Sequence, residues 1–204
     1  MTRIYLVRHG ETDWNRGRRL QGILDVGLNE TGITQGRRIA KRFSSLRALK
    51  VYTSPLRRAL HTATLLQRHG GDCPVMVEPR LREIDHGAWT GLTMDRIARD
   101  FPEEFESWKS RPDSVRPRGG ESLQEAYRRA TGFLHDFTKT SMGSDVLIVS
   151  HGVINALLVC AAWGAPPARL WDFPQPNADV TVLRVEGRKV VGIKREEDDH
   201  RIQQ

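Results

Sequence analysis

The sequence predicts an α/β domain: a three-layer sandwich in which helices flank a mostly parallel sheet, with a small helical lid insertion. Three observations lead there. Ile4 to Val7 and Val146 to Val149 are short apolar runs with no polar interruption, as in strands covered on both faces. Both runs end at a His-Gly pair, His9-Gly10 and His151-Gly152. Between them, strand-like and helix-like segments alternate, as in parallel strands joined by crossover helices.

Each element has its own signal. Ile4 to Val7 is the first strand. Asn29-Glu30-Thr31-Gly32 opens a helix through about Leu46, with Ile33, Ile39, Ala40 and Phe43 at helical spacing. Leu49 to Thr53 is the next strand. Ser54 suits a cap with Pro55 at the first helical position, and Gly70-Gly71 stops that helix after His69. Val75 to Val77 is a further short strand. Met94 to Ala98 and Glu103 to Lys109 read as helices broken at Phe101-Pro102. Arg111 to Gly120 is a Pro- and Gly-bearing loop. Residues 93–120 are therefore the candidate lid over the strand ends. A long helix runs from Glu121-Ser122 to about Lys139, a strand over Val146 to Val149, and a helix over Val153 to Trp163. Asp179 to Val185 and Lys189 to Ile193 form a hairpin across Glu186-Gly187-Arg188. Residues 194–204 read as a polar, fraying tail.

Composition sets the outer limits. With 204 residues, 38% hydrophobic and 28% charged, the chain suits a single domain over 1–204 with a sizeable core. No run approaches the roughly 18 apolar residues of a membrane span, and the start is charged too soon for a signal peptide. Cys73 and Cys160 do not make a disulfide framework, so a reduced, cytoplasmic protein is expected. Cys73 and Arg80 do not fit a Cys-x5-Arg phosphatase loop, and Cys73 reads as structural. The net charge is +7, and only six of the 32 basic residues are Lys. Arg forks suit phosphates and carboxylates. A nucleic-acid binder would instead gather its Arg on one aromatic-laced face, whereas here they spread along the chain.

Ligands of open α/β sheets bind at the carboxyl ends of strands. His9 and His151 therefore meet in one crevice if their strands are neighbours. Arg8 precedes His9, Arg58 lies in the helix after Ser54, and Glu83 lies in Leu81-Arg82-Glu83-Ile84-Asp85-His86-Gly87. Two His, two Arg and one Glu gather with no metal-binding spacing and no Gly-x-x-x-x-Gly-Lys loop.

On these residues the chain resembles the histidine phosphatase superfamily, the phosphoglycerate mutase-like group. The resemblance spans residue 3 to about 185. Its motifs are Arg8-His9-Gly10-Glu11-Thr12, Asn15, Gln21-Gly22-x-x-Asp25, Leu28-x-x-x-Gly32, Ser54-x-Leu-x-Arg58-Ala59-x-x-Thr62-Ala63, Leu81-x-Glu83, Gly119-Gly120-Glu121-Ser122, Ser150-His151-Gly152 and Asn177. One departure is Gly27, where the family often has Pro in the turn after Asp25.

The resemblance implies a metal-independent phosphomonoesterase without a cofactor. His9 is the implied nucleophile and forms a phosphohistidine. Arg8, Arg58 and His151 are the implied clamps on phosphoryl oxygens, and Glu83 the implied general acid, then base. Asn15, Gln21, Gly22, Thr12 and Gly152 are the implied phosphate and substrate contacts. Glu11, Asp25 and Asp85 are expected to brace the Arg residues. His61, His69, His86, His135 and His200 are expected to be structural or surface residues, with His86 the foremost exception. Trp108, Arg111, Arg116 and Arg118 of the lid, with Arg18 and Arg19, suggest a polar or anionic substrate. The expected partner is a small phosphorylated metabolite, with no nucleic acid and no membrane, and a homodimer is compatible. The short chain and the Gly-Gly-Glu-Ser run favour a phosphatase. A cofactor-dependent phosphoglycerate mutase is the alternative, and an idle phospho-ligand module the third reading.

Overall fold

The computed structural model describes residues 2–43, 50–70, 74–140, 144–186 and 189–196. Strands β1 (Thr2–Arg8), β2 (Lys50–Thr53), β3 (Val75–Val77), β4 (Val146–Ser150), β5 (Val180–Glu186) and β6 (Lys189–Glu196) form one sheet, ordered β3-β2-β4-β1-β5-β6. The first four in that order are parallel, and β5 and β6 continue the sheet antiparallel. The mostly parallel sheet and the terminal hairpin are as the sequence implies.

Alternation along the strands builds two cores. Ile4, Leu6, Val146 and Ile148 face α6 (Leu123–Thr140) and α7 (Gly152–Trp163), packing with Ala126, Phe133, Leu157 and Leu158. Tyr5, Val7, Leu147 and Val149 face α2 (Glu30–Phe43) and α3 (Arg57–Gly70), packing with Ile39, Phe43, Ala63 and Leu66. The unbroken apolar runs thus serve both faces of a middle layer. Burying each such Val, Leu or Ile contributes about 1.5–3 kcal/mol.

Boundaries differ in instructive ways. Pro55 does not open a helix; α3 starts at Arg57, and the Leu56 N–H is taken by Ser54 Oγ at 3.3 Å. The long helix α6 is closed by a capping box, with Ser122 Oγ accepting from Glu125 N–H and Glu125 Oε2 accepting from Ser122 N–H. A one-turn helix, α1 (Asp13–Arg16), has no apolar periodicity and is held by Thr12 capping Asn15. Strand β6 continues past Ile193, so the polar tail begins later: Lys194, Arg195 and Glu196 still pair with β5. Leu46, Leu49, Gly71, Cys73, Gly187, Arg188 and residues 197–204 lie outside the described residues.

The 93–120 excursion comprises α4 (Met94–Asp100), α5 (Pro102–Ser110) and a short 3-10 turn at Pro112–Ser114. Ile97 and Trp108 are buried within the core shared with α6 and α7. Trp108 meets Trp89 and Trp171 edge-on, at 6.1 and 5.5 Å between ring centres. Through these side chains the excursion packs against the body of the protein. Where the chain leaves β1, Gly10 is required: a Cβ there would stand 2.4 Å from the Gly32 carbonyl oxygen at the start of α2.

Candidate active site

β1 and β4 are adjacent, with Arg8 opposite Ser150. His9 and His151 therefore leave the sheet side by side, their ring centres 5.2 Å apart and their planes at 60°. β2 lies on the other side of β4, which brings Ser54 to His151. Glu83 arrives from the segment after β3, beyond a 3-10 turn at Pro79–Leu81.

His9 is buried, and its Nδ1 lies 2.7 Å from the Gly10 carbonyl. That carbonyl holds the Nδ1 proton and leaves the Nε2 lone pair free. Burial, then the charges of Arg8 and Arg58, keep the His9 pKa well below the ordinary histidine value, against the Gly10 hydrogen bond. Asn177 Nδ2 and the Ala178 N–H both donate to the His9 carbonyl at 3.1 Å and tie down the His9 backbone.

The two guanidinium groups are aimed by carbonyls. Arg58 donates through Nη1 and Nη2 to Leu24 O and Gly22 O, both at 2.7 Å. Gly22 supports this with a left-handed φ of +50°. Arg8 Nη1 donates to Gln175 O at 2.5 Å. Burial lowers the Arg58 pKa to about 10, opposed by Glu83 and Asp25, and lowers that of Arg8 too. Both stay cationic at neutral pH. Arg8 Nε, Arg58 Nε and His151 Nδ1 are buried and have no partner within the protein. Buried donors of this kind need an acceptor, and a tetrahedral oxyanion on His9 supplies several.

His151 Nε2 lies 2.7 Å from Ser54 Oγ. The Ser54 hydroxyl accepts from the Leu56 N–H and has its own proton to give; with that proton donated to Nε2, the imidazole carries its proton on Nδ1. Burial, then Arg58, His9 and Arg8, hold the His151 pKa well below the usual range. His151 is thus a neutral donor.

Glu83 Oε1 accepts from Ile84 N–H at 3.0 Å and Oε2 from Val153 N–H at 3.4 Å. Burial raises its pKa, outweighing those bonds and the charges of Arg58 and Arg8. The backbone beneath it hangs on Arg129. That guanidinium donates to Arg80 O, Arg82 O and Glu83 O and forms a bidentate pair with Glu121 at 2.7 and 2.8 Å.

His9, Arg8, Arg58 and Glu83 open onto a cavity of about 490 Å³, while His151, fully buried behind them beside His9, does not line it. Arg8, His9, Asn15, Gln21, Gly22, Arg58, Glu83 and Gly152 line it. Thr12 does not. It is fully buried, caps α1 and, together with Asn177 Nδ2, binds Asn15 Oδ1, which leaves the Asn15 amide nitrogen for the cavity. His86 does line the cavity; burial lowers its pKa to about 4, so it is neutral. Of the arginines expected near the substrate, Arg19 alone lines the cavity, while Arg18, Arg111, Arg116 and Arg118 do not, and Arg116 pairs with Glu125. The bracing carboxylates divide. Asp25 accepts from Arg57 N–H at 2.6 Å and its charge acts on Arg58. Glu11 instead holds Asn29 and Arg16, and Asp85 holds the Gly87 N–H. Arg129, Trp171, Phe173 and Gln175 were not singled out in the sequence, because polar or aromatic residues in a helix or loop carry no local sign of what they face. Among the described residues, no three His, Cys, Asp or Glu side chains cluster as a metal site, and no helix is long and apolar enough to cross a membrane.

Comparison with known proteins agrees with this geometry. A model of the histidine phosphatase superfamily (branch 1) matches residues 4–197. The chain is 36% identical over 194 residues to phosphoserine phosphatase 1 of Hydrogenobacter thermophilus, covering 95% of this chain and 92% of that one. It is 39% identical over 171 residues to the probable phosphoglycerate mutase GpmB of Cronobacter sakazakii, covering 81% and 77%. Among solved structures it is similar to Bacillus stearothermophilus YhfR, with a TM-score of 0.86 at 36% identity over 93% of this chain and 94% of that one. The mycobacterial glucosyl-3-phosphoglycerate phosphatase in complex with VO3 gives a TM-score of 0.86 at 31% identity, over 97% and 98%. The chain belongs to branch 1 of the histidine phosphatase superfamily and is a phosphatase by type.

Proposed function

We propose that the protein is a cytoplasmic, metal-independent enzyme that hydrolyses a small phosphomonoester in two displacements through a phosphohistidine on His9. One observation carries the reading: the neutral, free Nε2 of His9 stands among three unpartnered buried donors, Arg8 Nε, Arg58 Nε and His151 Nδ1. In the first displacement Nε2 bonds to phosphorus, the ester P–O bond breaks, and the leaving oxygen takes the proton of Glu83. In the second, water attacks phosphorus, gives a proton to the Glu83 carboxylate, and the P–N bond breaks. Phosphate leaves and both side chains are restored. The clamps meet charge spread over three oxygens of a loose transition state. The positive charge is supplied by guanidinium groups, so the chemistry calls for no metal.

The test is rapid alkaline-detergent quench trapping with a phosphoryl-labelled ester in EDTA. The expected result is label on wild-type protein that is alkali-stable, acid-labile and absent from His9→Ala, with steady release of phosphate. Turnover by His9→Ala would overturn the nucleophile assignment. Interconversion of phosphoglycerates without release would make the enzyme a mutase.

A further inference from the structure

Beyond the phosphoryl clamps, much of the cavity wall is hydrocarbon. Met94, Trp108, Trp171, Phe173 and Pro174 line it, from α4, α5 and the segment before β5. Two of them stand open to solvent: Trp171 is 44% exposed and Met94 37%. Large apolar side chains exposed within a concave site mark a ligand surface. Trp171 is held in place by its Nε1–H, which donates to Trp108 O at 3.0 Å. The ring is therefore a prepared face with its polar edge already satisfied.

Charge tells the same story. Arg8 and Arg58 are committed to the phosphoryl group. The third cation on the wall, Arg19, is exposed and donates to the Gly91 carbonyl. Gln21 and His86 are uncharged, and each carries a buried polar atom without a partner, Oε1 and Nδ1. They suit one hydroxyl or amide and would leave a carboxylate or second phosphate poorly matched.

Resting on the phosphomonoesterase reading, we propose that the natural leaving group is an alcohol with an aromatic or branched hydrocarbon body and no second anionic group. This departs from the carboxylate-bearing compounds in the names of several relatives. The same walls hold the ester's body against Trp171 and Phe173 while its phosphate sits on His9.

The experiment compares 2-phenylethyl phosphate with phosphoserine and 3-phosphoglycerate, so that every leaving group is an alkoxide. Two quantities are read: kcat/KM of the wild type, and Kd on His9→Ala by calorimetry. The expected result is a preference of about tenfold or more for the phenylethyl ester in both readouts, the order given by burying a ring in an apolar pocket. Trp171→Ala is expected to bring that ratio near one and Trp171→Phe to keep most of it. Equal or better use of either carboxylated ester, or a ratio unmoved in Trp171→Ala, overturns the proposal. Should the wild type release no phosphate from any ester, the hydrolytic reading fails, and the calorimetric ratio alone decides the leaving-group proposal.

Discussion

At the scale of single residues, the chemistry rests on which nitrogen holds a proton. The Gly10 carbonyl, which can only accept, settles this for His9, and for His151 it follows from the Ser54 hydroxyl donating to Nε2. Ser54→Ala is expected to leave His151 Nε2 without its donor and to mix the two tautomers. One buried hydrogen bond of this kind corresponds to about a tenfold loss in kcat/KM. Ring nitrogen shifts of His151 by NMR should show the mixed tautomer in Ser54→Ala and the wild-type tautomer in Ser54→Thr. Glu83→Gln removes the transferable proton but keeps a similar shape. It is expected to cut turnover of alkyl esters by about 10²- to 10⁴-fold and aryl esters much less, as leaving-group assistance matters most for poor leaving groups. Equal losses across a leaving-group series would count against Glu83 as the acid. The main groups are legible in the sequence because His9 and His151 each end an apolar run, a signal needing no tertiary knowledge. Ser54 was visible as a helix cap and as the first residue of a family motif, but with no sign of what it touches. Its contact with His151 joins residues 97 apart in sequence and becomes apparent only once β2 and β4 are neighbours.

At the scale of elements, Glu83 is positioned by a strut rather than by a strand. Glu83 lies in irregular backbone, and Arg129 of α6 ties that backbone to Glu121 through five hydrogen bonds. Arg129→Met leaves the Glu121 carboxylate buried and three carbonyls unserved. A broken buried pair costs about 3–5 kcal/mol, which in a chain of this size lowers Tm by roughly 10 °C. Arg129→Lys keeps the charge but loses the fork and should fall between. Calorimetric melting checks both, and an unchanged Tm in Arg129→Met would remove the strut from the account. Helical periodicity made α6 legible. It could not say that Arg129 turns inward, because a charged residue on an amphipathic helix ordinarily faces water. The excursion was legible as helices too; that Ile97 and Trp108 are buried in the core while Met94 and Trp108 line the cavity shows only in the fold.

At the scale of the whole molecule, three buried histidines link stability to pH. His9, His86 and His151 all have pKa values below the ordinary 6.5, from burial first. Below pH 6.5 the unfolded chain binds protons at these sites that the native state refuses, so stability is present above that pH and is lost as pH falls. Each histidine contributes up to about 1.4 kcal/mol per pH unit on the acid side. Glu83 acts oppositely, since its raised pKa makes the native form the better proton binder above the usual glutamate range. Three groups outweigh one. Urea midpoints are expected to drop steeply from pH 7 to pH 5.5, and a flat profile would contradict the buried-neutral assignment. The +7 charge, by contrast, does not gather at the site beyond Arg8, Arg19 and Arg58.

The placement of β1 has a further consequence. It lies between β4 and β5, serves both cores, and ends one residue before His9. Its amides cannot meet solvent by fraying from an edge. In native-state hydrogen exchange they should open only with global unfolding, and those of β3 and β6 far sooner. His9 is thus anchored to the last part of the molecule expected to exchange, and loss of catalysis on heating should coincide with loss of the fold rather than precede it.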